Sequence, residues 1–290
     1  MNRPALEPNA PAPPDPQRPH PAVSASWPDR YWALFRSAWM VDLQYRPTIA
    51  IWLILGLAQP LVMLAIWWSV AGEGGVAGYG QADFARYFFA LMLVDQLTLA
   101  WDVWYVDRWI REGELNFRLV RPVNPVHEAI ADNLAYKAGN TVVLLLVWAV
   151  VAFFWPAVRL PVNPLRWAGA LVAVVLAAAL RFLVSYVHGL LAFWTTRASG
   201  LFELHYGVSL FLAGRIAPLA ILPPAAAAAA SLLWFRSMLA FPVEVLTGAV
   251  STLEGYAVGV GGQLFWVAVW IGAYRIVWSR GTRRYEGVGG

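Results

Sequence analysis

The sequence predicts an all-α membrane protein. The chain has 290 residues, of which 60% are hydrophobic, and its mean hydropathy is +0.55. Only 13% of its residues are charged, against roughly a quarter in soluble domains. Apolar runs recur along the chain, each long enough to cross a bilayer as a helix. Most basic residues lie beside these runs, as the positive-inside rule expects, so the net charge of +4 does not require a nucleic-acid partner.

Six membrane-spanning helices are predicted from these apolar runs. They cover residues 48–70, 84–105, 138–155, 167–194, 204–222 and 257–278. Between the last two, residues 223–256 are only moderately apolar and are interrupted by Arg236, Pro242 and Glu244. We expect one or two re-entrant or interfacial helices there, because irregular backbone at membrane depth needs protein around it.

The N-terminal part precedes the first span. Residues 1–26 are rich in Pro and Ala and predict a disordered cytoplasmic tail. Ser26, with Asp29 three residues on, predicts the start of a helix. Residues 30–46 carry aromatic and apolar side chains at spacings of three and four together with three arginines. This pattern predicts a basic amphipathic helix at the membrane surface.

Basic residues at the ends of the spans predict the orientation. With the N-terminus inside, the cytoplasmic flanks hold about three times as many basic residues as the outer flanks. Both termini then lie in the cytoplasm, and residues 110–125 form a cytoplasmic connection between spans two and three. A short polar helix over 127–133 is expected to follow this connection.

Several kinds of chemistry are excluded by missing motifs. The sequence lacks a G-x-x-x-x-G-K-[ST] phosphate-binding loop, an H-E-x-x-H helix and a G-x-S-x-G elbow. It also has no Cys, which excludes disulfides, thiolate metal sites and cysteine nucleophiles. We therefore predict that the chain is not an enzyme and holds no catalytic residues and no metal.

Asp95 is the costliest residue in the predicted spans. A carboxylate at mid-span costs about 2.5–3.5 kcal/mol on insertion scales unless it is neutral or paired. Arg181, near the middle of span four, is its natural counter-ion, and Arg215 lies near one end of span five. Two interpretations stay open: these residues and Trp101 line a substrate path or proton relay, or a buried ion pair fixes helix packing.

The connection 110–125 also has two interpretations. Leu115 and Leu119 lie one helical turn apart, Phe117 and Val120 add apolar surface, and arginines lie beside them. The segment is too short to be a stable helix alone. It is either a basic cytoplasmic loop or a docking helix that receives force from a soluble partner.

The sequence resembles the ABC-2 type permeases, in particular a bacterial six-span branch. That branch has a loop pattern of I-x-x-G-E-L-x-x-x-L-x-R-P-x-N-P after span two. The matching residues here are Ile110, Gly113, Glu114, Leu115, Leu119, Arg121, Pro122, Asn124 and Pro125. Residues 213–223 and then Phe241-Pro242 with 246–248 add matches in the same order. The resemblance covers about residues 30–285. The run of alanines at 225–230 departs from the pattern, which has an aromatic-rich segment there.

The resemblance implies the roles of several segments in a permease domain spanning 27–285. Residues 30–46 would be an elbow helix and about 114–120 a coupling helix that docks onto an ATPase, with outer helices between spans five and six. The docking residues implied or favoured are Gly113, Glu114, Leu115, Arg118, Leu119, Arg121 and Pro122. The candidates for the substrate path are Asp95, Trp101, Arg181 and Arg215.

The function expected is that of the permease subunit of an ABC exporter in the cytoplasmic membrane of a bacterium. The resemblance implies separate ATPase subunits that bind ATP and Mg, and a second permease, the same or homologous, as dimer partner. The substrate expected is hydrophobic or amphipathic. The alternative is an ion- or proton-coupled secondary transporter that uses Asp95 and Arg181.

Overall fold

The computed structural model describes residues 26–44, 46–161 and 163–285, and in this part of the chain it is helical without strands. The predicted tail, residues 1–26, lies outside the described residues except for Ser26. The helices are α1 (Trp27–Gln44), α2 (Arg46–Ala71), α3 (Gln81–Thr98), α4 (Asp102–Arg111), α5 (Leu115–Leu119), α6 (Pro125–Phe154), α7 (Pro164–Leu190), α8 (Ala198–Leu212), α9 (Pro224–Leu232), α10 (Phe241–Thr247) and α11 (Leu253–Arg284).

Five stretches of the described residues are long and apolar enough to cross a membrane. They are Ile54–Ala71, Gln81–Arg111, Pro125–Phe154, Pro164–Phe193 and Leu253–Arg284. The multi-span helical fold is thereby confirmed. The predicted span over 204–222 takes a different form, since α8 has 15 residues and ends at Leu212. A sixth candidate arises only if α9 and the helical segment Arg236–Thr247, bent by 78° to each other, count as one span.

Two other predicted boundaries differ from the structure. The second span is broken, because α3 ends at Thr98 and α4 begins at Asp102. The expected short helix over 127–133 and the span after it are one helix, α6. Asn124 caps its first turn by accepting from the Val126 N–H at 3.0 Å, and Pro125 occupies its first position. With its start fixed there, the helix continues through the polar residues without a break.

The start of α1 agrees with the sequence prediction. Ser26 and Asp29 form a capping pair, in which the Ser26 hydroxyl and backbone N–H donate to Asp29 Oδ2 at 2.6 and 3.2 Å. Further along, α1 packs lengthwise against α6. At its N-terminal end, Tyr31 hydrogen-bonds to His127 Nδ1, and the Trp27 ring lies 5.4 Å from the His127 ring.

Helix α7 is central to the fold, because it packs against α11, α4, α10 and α3. Most residues of the α3–α4 span are buried, whereas few residues of the apolar parts of α2, α6 and α11 are. The close approach of α7 to α4 depends on Gly189. A Cβ there would lie 2.7 Å from Val106 Cβ and 3.1 Å from the Val103 Cα. Small residues allow such close helix packing within membranes.

Gly189→Val should therefore destabilise the protein by about 1–3 kcal/mol, since overpacking forces α7 away from α4. The measurement is the thermal unfolding midpoint of the purified protein in detergent. Gly207→Val is the matched control, because a Cβ at Gly207 meets nothing within 4 Å. Equal midpoints for the two variants would show that α4 and α7 do not pack this closely.

Candidate functional site

A buried charge cluster forms where α3, α7 and the loop after α8 meet. Asp95 receives Arg215 in a bidentate pair, with Nη1 to Oδ2 and Nη2 to Oδ1 both at 2.7 Å. Arg181 Nη1 reaches Asp95 Oδ1 at 2.6 Å and also donates to the hydroxyl of Thr98 at 2.6 Å. Charge-assisted bidentate pairs of this kind are among the strongest hydrogen bonds in proteins. We call Asp95, Arg181 and Arg215 the Asp95 cluster.

The loop that carries Arg215 is fixed by hydrogen bonds from α2 and α3. Gly214 has φ +80°, a left-handed conformation that glycine adopts without strain. Its carbonyl accepts from the Tyr87 hydroxyl at 2.7 Å. Gln59 donates to the Arg215 carbonyl at 3.2 Å, and Trp67 donates to the Ile216 carbonyl at 2.7 Å. These bonds pair backbone groups that hydrocarbon cannot satisfy, and they hold the Arg215 side chain over Asp95.

Three of the four residues predicted for a substrate path therefore meet in one cluster. Trp101 is the exception. It lies at the break between α3 and α4, is 41% exposed and has its ring 6.0 Å from that of Trp52. The cavity beside the cluster measures about 30 Å³, which is room for one or two water molecules and not for a hydrophobic substrate. In this conformation the geometry favours the packing interpretation of the cluster.

The connection between α4 and α6 folds back on the helices that it joins. Gly113, at φ +78°, reverses the chain after α4. The side chain of Leu115 then enters a hydrophobic cluster with residues of α4, α6 and α7 and is 2% exposed. This placement differs from the sequence analysis, which favoured Leu115 as a docking contact. Its burial makes it an anchor of the connection instead.

Arg118 also holds the connection together. Its guanidinium stacks on the Trp109 ring at 3.9 Å, within the range of a cation–π contact. It forms ion pairs with Glu114 and Glu128, both at 3.3 Å. Arg121 reaches Glu128 at 3.3 Å as well. Glu128, which the sequence analysis did not single out, thus joins both arginines to the first turn of α6.

The connection exposes an apolar surface at its tip. Phe117 is 73% exposed and Val120 is 83% exposed, and Leu119 and Pro122 are exposed beside them. We call these four residues the loop tip. In the sequence, Phe117 and Val120 add apolar surface to this segment but are not among the predicted docking residues. Only the tertiary contacts show which of the apolar residues in this segment are covered.

Together, the fold and the two sites define a multi-pass helical membrane protein that contains a braced connection with an exposed apolar tip. A family model described as "ABC-2 family transporter protein" matches residues 54–289. The chain belongs to this family. Membership implies an ABC transporter system in which this chain is a membrane component and an ATPase is a partner. No curated protein matches the sequence.

Asp95→Asn tests the packing interpretation. Removing one partner from a buried ion pair typically costs 3–5 kcal/mol, because the remaining charge stays buried. We expect a large fall in the unfolding midpoint together with retained transport. Asp83→Asn is the control on the same helix, since the Asp83–Arg86 pair is more exposed and such pairs contribute about 0–1 kcal/mol. Lost transport at unchanged stability would instead assign Asp95 to a substrate path.

Proposed function

We propose that the chain is the transmembrane permease subunit of an ATP-driven ABC exporter. It would move a hydrophobic or amphipathic substrate across the cytoplasmic membrane of a bacterium by alternating access. ATP and Mg would bind to separate ATPase subunits, which agrees with the missing phosphate-binding loop in this sequence. A second permease, the same or homologous, would complete the transporter as a dimer.

The observation that carries this proposal is the loop tip. Phe117 and Val120 expose apolar surface at the end of a short connection between two candidate spans. A connection that only joined two helices would not need its apolar residues fixed outward. Exposed apolar groups in a polar setting are typical of protein interaction sites. The charges of Arg121 and Glu112 at the edge of the tip suit a polar rim around such a contact.

The brace beneath the tip supplies a route for force. Arg118 joins the connection to Trp109 on α4 and to Glu128 on α6. Helix α4 is tied in turn to α7, because the Val103 N–H donates to the Ser185 hydroxyl at 3.0 Å. A displacement of the tip would therefore act on α4 and, through Ser185, on its contact with α7.

The break between α3 and α4 gives this movement a pivot. Residues 99–101 leave the helix, and the Leu99 carbonyl accepts from the Asn133 amide at 3.3 Å. Helix α4 can tilt at this break while the Asp95 cluster holds α3 in place. In the alternating-access cycle that we propose, ATP binding by the partner closes the ATPase subunits and pushes the tip, and α4 transmits the push.

The same proposal places the chain in the membrane. Both termini and the loop tip would face the cytoplasm, and α1 would lie as an elbow helix on the inner surface with Trp27, Trp32 and Met40 exposed toward lipid. We propose six spans, in which α8 with the loop after it serves as the fifth. The bent pair of α9 and the helical segment 236–247 would form the outer re-entrant region, and α11 the sixth span.

The proton-coupled alternative has less support in the geometry. A proton relay requires a carboxylate that gains and loses a proton during the cycle. Both oxygens of Asp95 accept hydrogen bonds from guanidinium groups at 2.6–2.7 Å. Protonation would break this arrangement and leave two arginines without a counter-ion, so the cluster suits a fixed structural role better than a relay.

The double variant Phe117→Asp/Val120→Asp tests the docking role. Two carboxylates in the centre of an apolar contact would prevent the ATPase subunit from co-purifying, because charges buried without partners are costly. The permease itself should remain folded, since both side chains are exposed. The measurement is the amount of ATPase recovered with the tagged permease from membranes that contain both proteins.

Leu253→Asp is the matched control for this experiment. Leu253 is also an exposed apolar residue but lies at the N-terminal end of α11, on the side that we propose to be external. Its substitution should leave the ATPase bound. Full recovery of the ATPase with the double variant would rule out the loop tip as the docking site.

A further inference from the structure

The Asp95 cluster holds an excess positive charge. Two guanidinium groups share one carboxylate, and in the described part of the chain Asp95 is the only carboxylate within ion-pair distance of either arginine. Glu203, on the neighbouring α8, is exposed and does not line the adjacent cavity. A net charge removed from water is costly unless an opposite charge lies beside it.

The cavity of about 30 Å³ lies directly against both arginines. Its wall is formed by α3–α4, α7, α8 and the segment before α10. The lining residues used below are Arg181, Arg215, His205, Tyr206 and Ser209. A cavity of this size accepts one or two particles as large as a water molecule. A chloride ion is only slightly larger than water and fits this space.

Two buried polar atoms of the cavity-lining residues have no hydrogen-bond partner in the described part of the chain. They are Nε of Arg215, a residue that is 4% exposed, and Nδ1 of His205. Each Nη atom of Arg215 donates one hydrogen bond to Asp95, whereas its Nε–H has no partner among the described residues. An unpaired buried donor costs about 1–3 kcal/mol, so each such group needs an explanation.

The hydrogen bonding of His205 shows that its free nitrogen is also a donor. The Trp234 indole N–H, which can only donate, lies 3.0 Å from His205 Nε2. Nε2 must therefore accept, the ring is neutral, and its single proton is on Nδ1. The Ser209 hydroxyl already donates its hydrogen to the Tyr206 carbonyl at 2.7 Å, so it does not need another acceptor in the cavity.

We propose that this cavity binds one small monovalent anion of the size of chloride. The anion accepts hydrogen bonds from Arg215 Nε and His205 Nδ1, and it neutralises the excess charge of the cluster. A water molecule would accept the same bonds but would leave the charge uncompensated. The bound anion joins α8, through His205, to the loop that carries Arg215. The site is independent of the docking of an ATPase and of the direction of transport.

The first test measures the unfolding midpoint of the purified full-length protein in sodium chloride and in sodium gluconate of equal ionic strength. Chloride and bromide should raise the midpoint with a saturable concentration dependence, because an ion that binds only the folded state stabilises it. Gluconate, which is too large for the cavity, and sulfate, whose second negative charge the cluster does not match, should not. Equal midpoints in all four salts, or the same dependence on sulfate, would overturn the proposal.

The matched variants are His205→Phe and His188→Phe. The first keeps an aromatic ring against Phe235 but removes the Nδ1–H donor and the Nε2 that accepts from Trp234. It should raise the half-saturating chloride concentration about tenfold, since a hydrogen bond to a charged group is lost. The second removes a ring next to His205 whose Nδ1 already pairs with the Val184 carbonyl at 2.7 Å, so chloride binding should persist. An unchanged chloride dependence in His205→Phe would exclude this cavity.

A direct measurement keeps the proposal testable if either variant fails to fold. Crystals of the unaltered protein grown with sodium bromide should show an anomalous scattering peak between Arg215 and His205. A peak there confirms a bound halide. Density for water alone in this cavity at high bromide concentration would overturn the proposal.

Discussion

The structure depends on the pairing of a buried carboxylate with two guanidinium groups. A charge at membrane depth cannot stay unpaired, and water is not there to solvate it. Asp95 on α3, Arg181 on α7 and Arg215 after α8 must therefore lie together whenever the protein is folded. This requirement fixes three parts of the chain that are distant in sequence, and the backbone bonds from α2 and α3 hold the loop of Arg215 in register.

In the connection between α4 and α6, the residues that face inward and those that face outward have different roles. Leu115 and Arg118 face inward and fasten it to α4, α6 and α7, whereas Phe117 and Val120 face outward. The rigid base and the exposed tip belong to one short segment, so a contact at the tip acts directly on the helices. In the proposed cycle, the break at 99–101 is the point at which the α4 half of the second span would tilt relative to the half that holds Asp95. The fixed cluster and the movable half-helix thus complement each other in the proposed cycle.

The sequence predicted much of this arrangement because strong physical penalties leave visible patterns. The energetic cost of a charge in a span predicted that Asp95 pairs with Arg181, and apolar length predicted most of the long helices. Features set by tertiary contacts were not predictable. No Pro or Gly marks the break at 99–101, and nothing local distinguishes buried Leu115 from exposed Phe117. The position of Arg215 depends on the end of α8 at Leu212 and on the turn at Gly214, which the apolar run over 204–222 conceals. The start of α6 could have been predicted from the sequence, since Asn124-Pro125 is a recognisable helix start.

The most direct test of the central constraint is a double-mutant cycle with Asp95→Asn, Arg215→Gln and both together. The unfolding free energy of each variant would be measured in detergent titrations. If the two side chains depend on each other for burial, the loss of unfolding free energy in the double variant should be far smaller than the sum of the losses in the single variants. The expected coupling energy is about 1–3 kcal/mol. Additive effects within about 0.5 kcal/mol would contradict the account, because Asp95 and Arg215 would then contribute independently.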